Sequence, residues 1–275
     1  MKKHSEKLLA AVTWAAALVT LGTLAYLILF ILIRGIPNLK PSLFALEYTS
    51  ENVSLLPPLV ATAQITLFSL LIAVPLGVFS AIYLAEYAKR GSKIVKLIRV
   101  TAETLSGIPS IVYGLFGFLF FVSALKWGYS VLAGTFTLSI MILPLILRAS
   151  EEALQAVPDT YREASFGIGA GRLRTVFRVV LPSATPGILA GVILAAGRIV
   201  GETAALIYTA GTVAQIPPDA MASARTLSVH MYALSNEGLY MSESYATAVV
   251  LLALVAGINA LSSLIAKRIG RKARP

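Results

Sequence analysis

The chain has 275 residues, of which 57% are hydrophobic and only 13% charged, against roughly 25% charged residues in typical soluble domains. This composition, with a mean hydropathy of +0.81, excludes an ordinary soluble protein and predicts a polytopic membrane protein. The net charge of +10 does not indicate nucleic-acid binding, because the basic residues lie in short loops between apolar runs, where they orient membrane proteins.

Six apolar runs are long enough to cross a bilayer, which takes about 20 residues per helix. The first run is longer than the apolar region of a signal peptide and has no clear cleavage site, so we expect an uncleaved first span. The sequence therefore predicts an all-α membrane protein with six transmembrane helices, at about 8–33, 58–87, 104–125, 130–149, 183–210 and 245–266.

The third run is interrupted by Gly107 and Pro109. A proline breaks a helix, and the freed backbone groups are tolerated in a membrane only where protein or a water-lined cavity satisfies them. Two interpretations stay open: a simple kink, or a constriction lined by the hydroxyls of Ser106 and Ser110.

The lysines and arginines indicate the orientation of the spans. Most of them lie before the first run, after the second, after the fourth and after the sixth. Because such residues concentrate on the cytoplasmic side, we expect a multi-pass protein of the cytoplasmic (inner) membrane with both termini inside. The loop at about 150–182 is then cytoplasmic.

A helix is predicted inside this loop. Pro158 suits a first helical turn, and Asp159 would lie near the positive end of the helix dipole. Gly169 and Gly171 can end the helix in a left-handed conformation.

A second short helix, 173–180, is expected to follow at the membrane surface. Its arginines could reach lipid headgroups, and Pro182 would mark the turn into the fifth span. Taken alone, the two short helices are also consistent with an ordinary amphipathic pair lying in the interface.

The fifth run carries two charges, Arg198 and Glu202. Arg198 would lie about 22 Å along the helix from Ser183, inside the bilayer, where charges are costly and face a cavity or a partner. Residues four apart share a helical face, so the pair could simply neutralise itself and aid packing. Alternatively it lines a substrate path: arginine binds oxyanions, and a carboxylate beside it suits a protonated anion. Our hypothesis is that the pair separates hydrogen phosphate from sulfate.

Neither a metal nor a cofactor is expected in this chain. It has no cysteine, and its two histidines, His4 and His230, are isolated in sequence. The sequence contains no Gly-x-x-x-x-Gly-Lys-[Ser/Thr] phosphate loop. Active transport would therefore need ATP bound by a partner subunit.

Two sets of residues carry a family resemblance. The segment Glu163-Ala164-Ser165, with Gly169 and Val179-Val180-Leu181-Pro182, resembles the EAA loop of ABC-importer permeases, although Ser165 and Val179 replace the usual alanine and isoleucine. The stretches from Gly107 to Gly117 and from Gly197 to Leu206 resemble the permeases of phosphate (Pst) importers, and the similarity covers nearly the whole chain.

The resemblance implies the type I ABC importer permease fold, a five-helix core preceded by one extra span. It divides the chain into an extra helix with its periplasmic loop (1–57), the permease domain (58–266, with the coupling loop at about 150–182) and a basic cytoplasmic tail (267–275). It also implies two functional sets. The ATPase-coupling residues would be Glu163, Ala164, Ser165, Gly169, Leu181 and Pro182. The substrate path would contain Arg198, Glu202, Thr203, Ser106 and Ser110.

The implied function is passage of inorganic phosphate across the bilayer by alternating access, by a transport subunit that is not itself an enzyme. The implied partners are a PstC-like permease, a PstB-like ATPase dimer and a PstS-like phosphate-binding protein. Several alternatives stay open: a permease for sulfate or molybdate, and a subunit of the PstC type itself. A membrane enzyme using Arg198 and Glu202 lacks a partner base in the sequence, and a passive channel would have no use for the EAA-like loop.

Overall fold

The computed structural model describes the backbone of residues 2–89 and 91–272, without the side chains of 2–6, 8, 262–263 and 265–272. The basic side chains of the predicted tail, 267–275, and Arg90 therefore lie outside the described residues. No strand occurs in the described part. Its α-helices are α1 (Lys2–Gly35), α2 (Leu56–Ile82), α3 (Lys93–Ser106), α4 (Ser110–Gly117), α5 (Val131–Gln155), α6 (Asp159–Gly167), α7 (Arg172–Thr175), α8 (Leu181–Val200), α9 (Ala204–Thr209), α10 (Leu227–Glu237) and α11 (Met241–Lys272).

Five described helical stretches are long and apolar enough to cross a membrane, and a bent pair makes a possible sixth. The second predicted span is confirmed, because α2 continues as a π-helical turn to Tyr87. The first, fourth and sixth are also confirmed as spans, but their helices are longer than predicted because polar residues extend them beyond the apolar runs.

The third predicted span is not one straight helix, so its start at 104 was wrong. α3 and the helix formed by α4 with its π-helical extension to Ala124 meet at 99°. Pro109 has no N–H to continue α3, and its extended conformation turns the chain instead. The Tyr113 hydroxyl donates to the Leu105 carbonyl across the bend (2.9 Å), beside the bond that this carbonyl accepts from the Ile108 N–H (3.1 Å).

The fifth predicted span, 183–210, is corrected at both ends. One continuous helical stretch runs from Arg172 to Val200, so the separate surface helix 173–180 does not exist. A π-helical turn, Val176–Val180, joins α7 to α8. A wider turn of this kind relieves the conflict between a proline ring and the preceding helical carbonyls, which explains why Pro182 lies inside the stretch rather than at a turn.

α5 is the central helix, packed between α2 and α8. Small residues set the close approach on both sides: a Cβ atom at Gly77 would lie 2.8 Å from Ile146, and one at Gly191 would lie 2.4 Å from Ala149. The largest buried cluster surrounds Leu138, Ile142 and Ile146 of this helix. α1 instead packs at its end on the start of α11, and none of its apolar stretch is buried.

The N-terminal ends of α2 and α10 lie together, at the end of the bundle away from the α5–α6 turn. Thr62 accepts a hydrogen bond from the Leu227 N–H (2.8 Å), which ties the two helices together. Next to it His230 is fully buried, edge-on to the Tyr48 ring, with its Nδ1 3.3 Å from Arg225 Nη1. Burial, with the positive charge of Arg225, lowers the pKa of His230 to about 3.

We expect this histidine to make the protein acid-sensitive. The pKa of His230 in the folded protein lies below the ordinary 6.5, so protonation favours the unfolded state. The stability that the neutral histidine contributes is therefore fully present above pH 6.5. The loss grows by about 1.4 kcal/mol per pH unit as the pH falls from 6.5 towards 3. Melting curves in detergent should show it. His230→Gln keeps an acceptor for Arg225 without titrating, so its melting temperature should fall less between pH 6.5 and 4; parallel curves would contradict the assignment.

Candidate functional site

Two helix breaks lie within the bundle, Gly107–Pro109 before α4 and Gly201–Thr203 before α9. The half-helices that follow are in direct contact. A Cβ atom at Gly114 would lie 2.8 Å from the Cα of Ala205, and one at Gly117 would lie 2.7 Å from Thr209 Cγ2. Both contacts advance in the same direction along the two helices, so α4 and α9 run in parallel, with α4 beginning about one turn before the level at which α9 begins.

Arg198 lies in the last turn of α8, half-buried and close enough to Tyr113 to interact electrostatically. It borders a cavity of about 380 Å³ between α5, α8 and α11, and among the described side chains that line this cavity Asn259 is the one other polar group. Within the described residues no hydrogen bond or ion pair holds the guanidinium. A membrane-embedded cation without an internal partner faces a cavity, a ligand or another subunit.

Glu202 is not placed as predicted, because α8 ends at Val200 and the two charges do not share a helical face. Its carboxylate accepts a hydrogen bond from the Ala205 N–H (3.1 Å), so it caps α9, and its side chain is buried. The Ser228 hydroxyl donates to its carbonyl (2.5 Å). No ion pair joins Glu202 to Arg198 in the described part of the chain. The expectation of one continuous helical face therefore does not hold, and the phosphate–sulfate hypothesis stays a prediction.

Ser106, Ser110 and Thr203 flank the two breaks, and within the described residues no hydrogen bond joins their hydroxyls to one another. Ser106 ends α3 and donates to the Ala102 carbonyl (2.9 Å), whereas Ser110 begins α4. Thr203 precedes α9 and is 3.5 Å from the Gly201 carbonyl. A common constriction of these residues with Arg198 stays a prediction.

The site predicted from the sequence did not include two residues that lie near Arg198. Tyr113 lies one turn beyond Ser110 in the Gly-Ile-Pro-Ser-Ile-Val-Tyr-Gly stretch, and that spacing could have identified it. Asn259 is an isolated amide in the otherwise apolar last span. Polar residues in membrane spans are functional candidates by default, so this signal was also available.

The EAA-like loop forms the second candidate site. α6 begins at Asp159, directly after Pro158, so the acidic residue is in the first turn as predicted. Gly169 has φ +84°, which confirms its left-handed turn, but Gly171 has φ −71° and instead precedes α7, where no reversal is needed. Ser165 is buried, and its hydroxyl pairs with that of Thr175 (2.8 Å).

The remaining motif residues divide between surface and core. Glu163 and Ala164 are exposed on α6, while Leu181 packs against a buried cluster around Val180 and Ala184. Pro182 is exposed within the continuous helical stretch. Four large apolar side chains of the same loop are also exposed: Tyr161 and Phe166 to about half, Leu173 more, and Ile168 at 87%. An exposed apolar patch of this kind marks an interaction surface.

Comparison with known proteins gives concordant findings. The family described as "Binding-protein-dependent transport system inner membrane component" matches residues 73–275. The probable ABC transporter permease protein YqgI of Bacillus subtilis is 34% identical over 253 residues, 86% of each chain. The phosphate transport system permease protein PstA of Pasteurella multocida is 37% identical over 212 residues, 76% of this chain and 75% of that one.

Solved structures support the fold. A chain of a bacterial alginate ABC transporter has a TM-score of 0.64 at 16% identity, covering 94% of this chain and 95% of that chain. A chain of the inward-facing MetNI methionine ABC transporter has a TM-score of 0.60 at 20% identity, covering 88% and 97%. At these identities the likeness concerns the fold, which is that of the type I importer permeases.

Proposed function

The chain belongs to the family of binding-protein-dependent transport system inner membrane components, and on that premise we propose that it is the PstA-type permease subunit of an ATP-driven phosphate importer. Relatives that carry the name PstA match over three quarters of the chain at 33–37% identity. The assignment of phosphate as the substrate rests on these relatives. The oxyanion chemistry draws on Arg198, the half-buried cation beside an intramembrane cavity.

In this proposal Arg198 binds the anion as it passes, with the hydroxyls of Ser106, Ser110 and Thr203 around the two breaks. Glu202 acts by holding α9 in place, since its carboxylate caps that helix. Asn259 adds an amide on the far side of the cavity. An arginine forks onto two oxygens of a tetrahedral anion, which an ammonium cannot do.

The proposed assembly supplies what this chain lacks. A PstC-like permease completes the pore, a PstB-like ATPase dimer binds and hydrolyses ATP, and a PstS-like protein delivers phosphate from outside. Both termini and the α5–α8 loop are cytoplasmic, so α6 meets the ATPase. Closure of the ATPase dimer on ATP shifts the bundle from the inward-open to the outward-open state. The energy comes from the different affinities of ATP for these two states of the assembly.

ATP-driven uptake of labelled phosphate tests the assignment, using vesicles that contain the chain with its candidate partners. Uptake that requires ATP and ignores excess sulfate and molybdate supports a phosphate permease. Competition by either anion favours the alternative oxyanion permease. A well-assembled complex that hydrolyses ATP and imports none of the three anions contradicts the proposal.

A further inference from the structure

A buried ion pair joins the EAA-like loop to the membrane spans. Arg162, one turn into α6, and Glu86, in the π-helical turn that ends the second span, have side chains only 16% and 7% exposed. The guanidinium Nη2 is 2.6 Å from Glu86 Oε1, and its Nε donates to both carboxylate oxygens at 3.2 and 3.3 Å. Hydrogen bonding to Glu86 raises the pKa of Arg162 further above its ordinary value, so the arginine is charged at every physiological pH.

The same guanidinium also closes the end of α5. Its Nη1 donates to the Val157 carbonyl (2.7 Å) and its Nη2 to the Leu154 carbonyl (2.9 Å). Carbonyls at the end of a helix lack the i+4 N–H partner, and the Leu154 carbonyl otherwise receives a long bond of 3.4 Å from the Val157 N–H. One side chain of α6 therefore binds the ends of both α2 and α5.

The start of the α7–α8 stretch also contacts the end of the second span, at Glu86 and Tyr87. Arg172 donates to the Glu86 carbonyl and its guanidinium lies over the Tyr87 ring, 5.1 Å from the centroid. The segment Glu86–Tyr87 is thus a junction of three membrane-spanning helices with α6.

Apart from this pair, α6 is attached mainly to the α7–α8 stretch rather than to α2. Ser165 is its one buried residue, and its hydroxyl pairs with that of Thr175 in the α7–α8 stretch. The backbone of α6 packs mainly on α7 and the π-helical turn after it. Its apolar side chains point outward, as Tyr161 and Phe166 show. A force on α6 reaches α5 through the three-residue connection 156–158 as well, whereas it reaches α2 chiefly through Arg162.

We propose that Arg162 and Glu86 form the positioning element that transmits movement of α6 to α2 and α5, so that ATP hydrolysis is coupled to anion passage. The inference rests on the proposed function, in which α6 docks on the ATPase. A buried, multiply bonded pair suits transmission, because its geometry is fixed and breaking it leaves an uncompensated buried charge. The nearby pair Arg148–Glu152 is exposed and 3.8 Å long, and surface pairs of that kind contribute little.

The coupling ratio, phosphate imported per ATP hydrolysed by the reconstituted complex, tests the inference. Glu86→Gln removes the charge, and Arg162→Lys keeps the charge but loses the fork that reaches Glu86, Asp159 and two backbone carbonyls. We expect each to lower the ratio at least tenfold, with hydrolysis and complex yield within twofold of wild type. The double variant should be no worse than the worse single variant. Arg148→Lys and Glu152→Gln are the matched controls and should leave the ratio unchanged.

A purely structural role would instead lower complex yield, hydrolysis and uptake together, and that result would overturn the inference. So would ratios equal to those of the controls. Wild-type complex that hydrolyses ATP without importing phosphate would count against the proposed substrate, and a second measurement then decides on the pair alone.

That measurement is a distance between spin labels, which is simple in a chain without cysteine. Thr160→Cys labels α6, and Leu71→Cys labels an exposed position on α2. With the pair intact, α6 and α2 should move as one body, giving a single distance that ATP does not change. In Arg162→Lys the distribution should broaden or shift when ATP binds. Identical distributions in both proteins contradict the inference.

Discussion

Replacement of Arg198 by glutamine is expected to reduce phosphate uptake by roughly 10- to 100-fold while the complex still assembles. Arg198 is half-buried beside a cavity and has no carboxylate partner within the described residues. Its removal therefore breaks no ion pair among the described residues. The interaction that is lost is the one between the guanidinium and the passing anion. A hydrogen bond to a charged group contributes about 1.5–3 kcal/mol, which corresponds to the stated range.

Arg198→Lys separates charge from geometry, because lysine keeps the cation and loses the planar fork. We expect its uptake to lie between those of wild type and Arg198→Gln. The measurement is initial uptake rate at saturating and limiting phosphate, with complex yield and ATP hydrolysis recorded on the same vesicles. Unchanged uptake in Arg198→Gln would return the residue to a packing role, and loss of assembly would assign it to a subunit interface.

The long apolar spans were predictable because their signal is local. α2 and α5 follow from runs of apolar residues, and glycine made a left-handed turn at Gly169 predictable, although the same residue type misled at Gly171. The break after Val200 was not predictable, since no proline marks it. It is held by distant groups, among them Ser228, which donates to the Glu202 carbonyl. Glu202 was consequently placed on a helix that had already ended.

The charged residues at helix ends were similarly ambiguous. Arginines before span five indicated a surface helix, but a π-helical turn carries the chain straight past Pro182 into α8. The pair of Glu86 with Arg162 joins residues 76 positions apart. Nothing in either local sequence identifies the other partner. Residue types thus predicted where polar chemistry lies, while the partners depended on tertiary packing.

The apolar surface of the EAA-like loop leads to the second large expected effect. Ile168 follows α6 directly and is 87% exposed, more than any other large hydrophobic side chain in the described part of the chain. If α6 docks on the ATPase, this side chain enters the interface, where a buried apolar anchor contributes about 2–4 kcal/mol. Ile168→Asp should therefore weaken retention of the ATPase by roughly 30- to 700-fold and abolish coupled uptake.

The fold should tolerate this change, because Ile168 contributes no buried surface to it. Leu239→Asp is the matched control: Leu239 is 81% exposed but lies after α10, at the opposite end of the bundle. Binding of the purified ATPase to each variant in detergent, with melting temperature recorded alongside, makes the comparison. Retention should be lost at position 168 and kept within twofold at position 239. Equal retention would place the ATPase contact away from Ile168, and loss in Leu239→Asp alone would reverse the proposed orientation of the bundle.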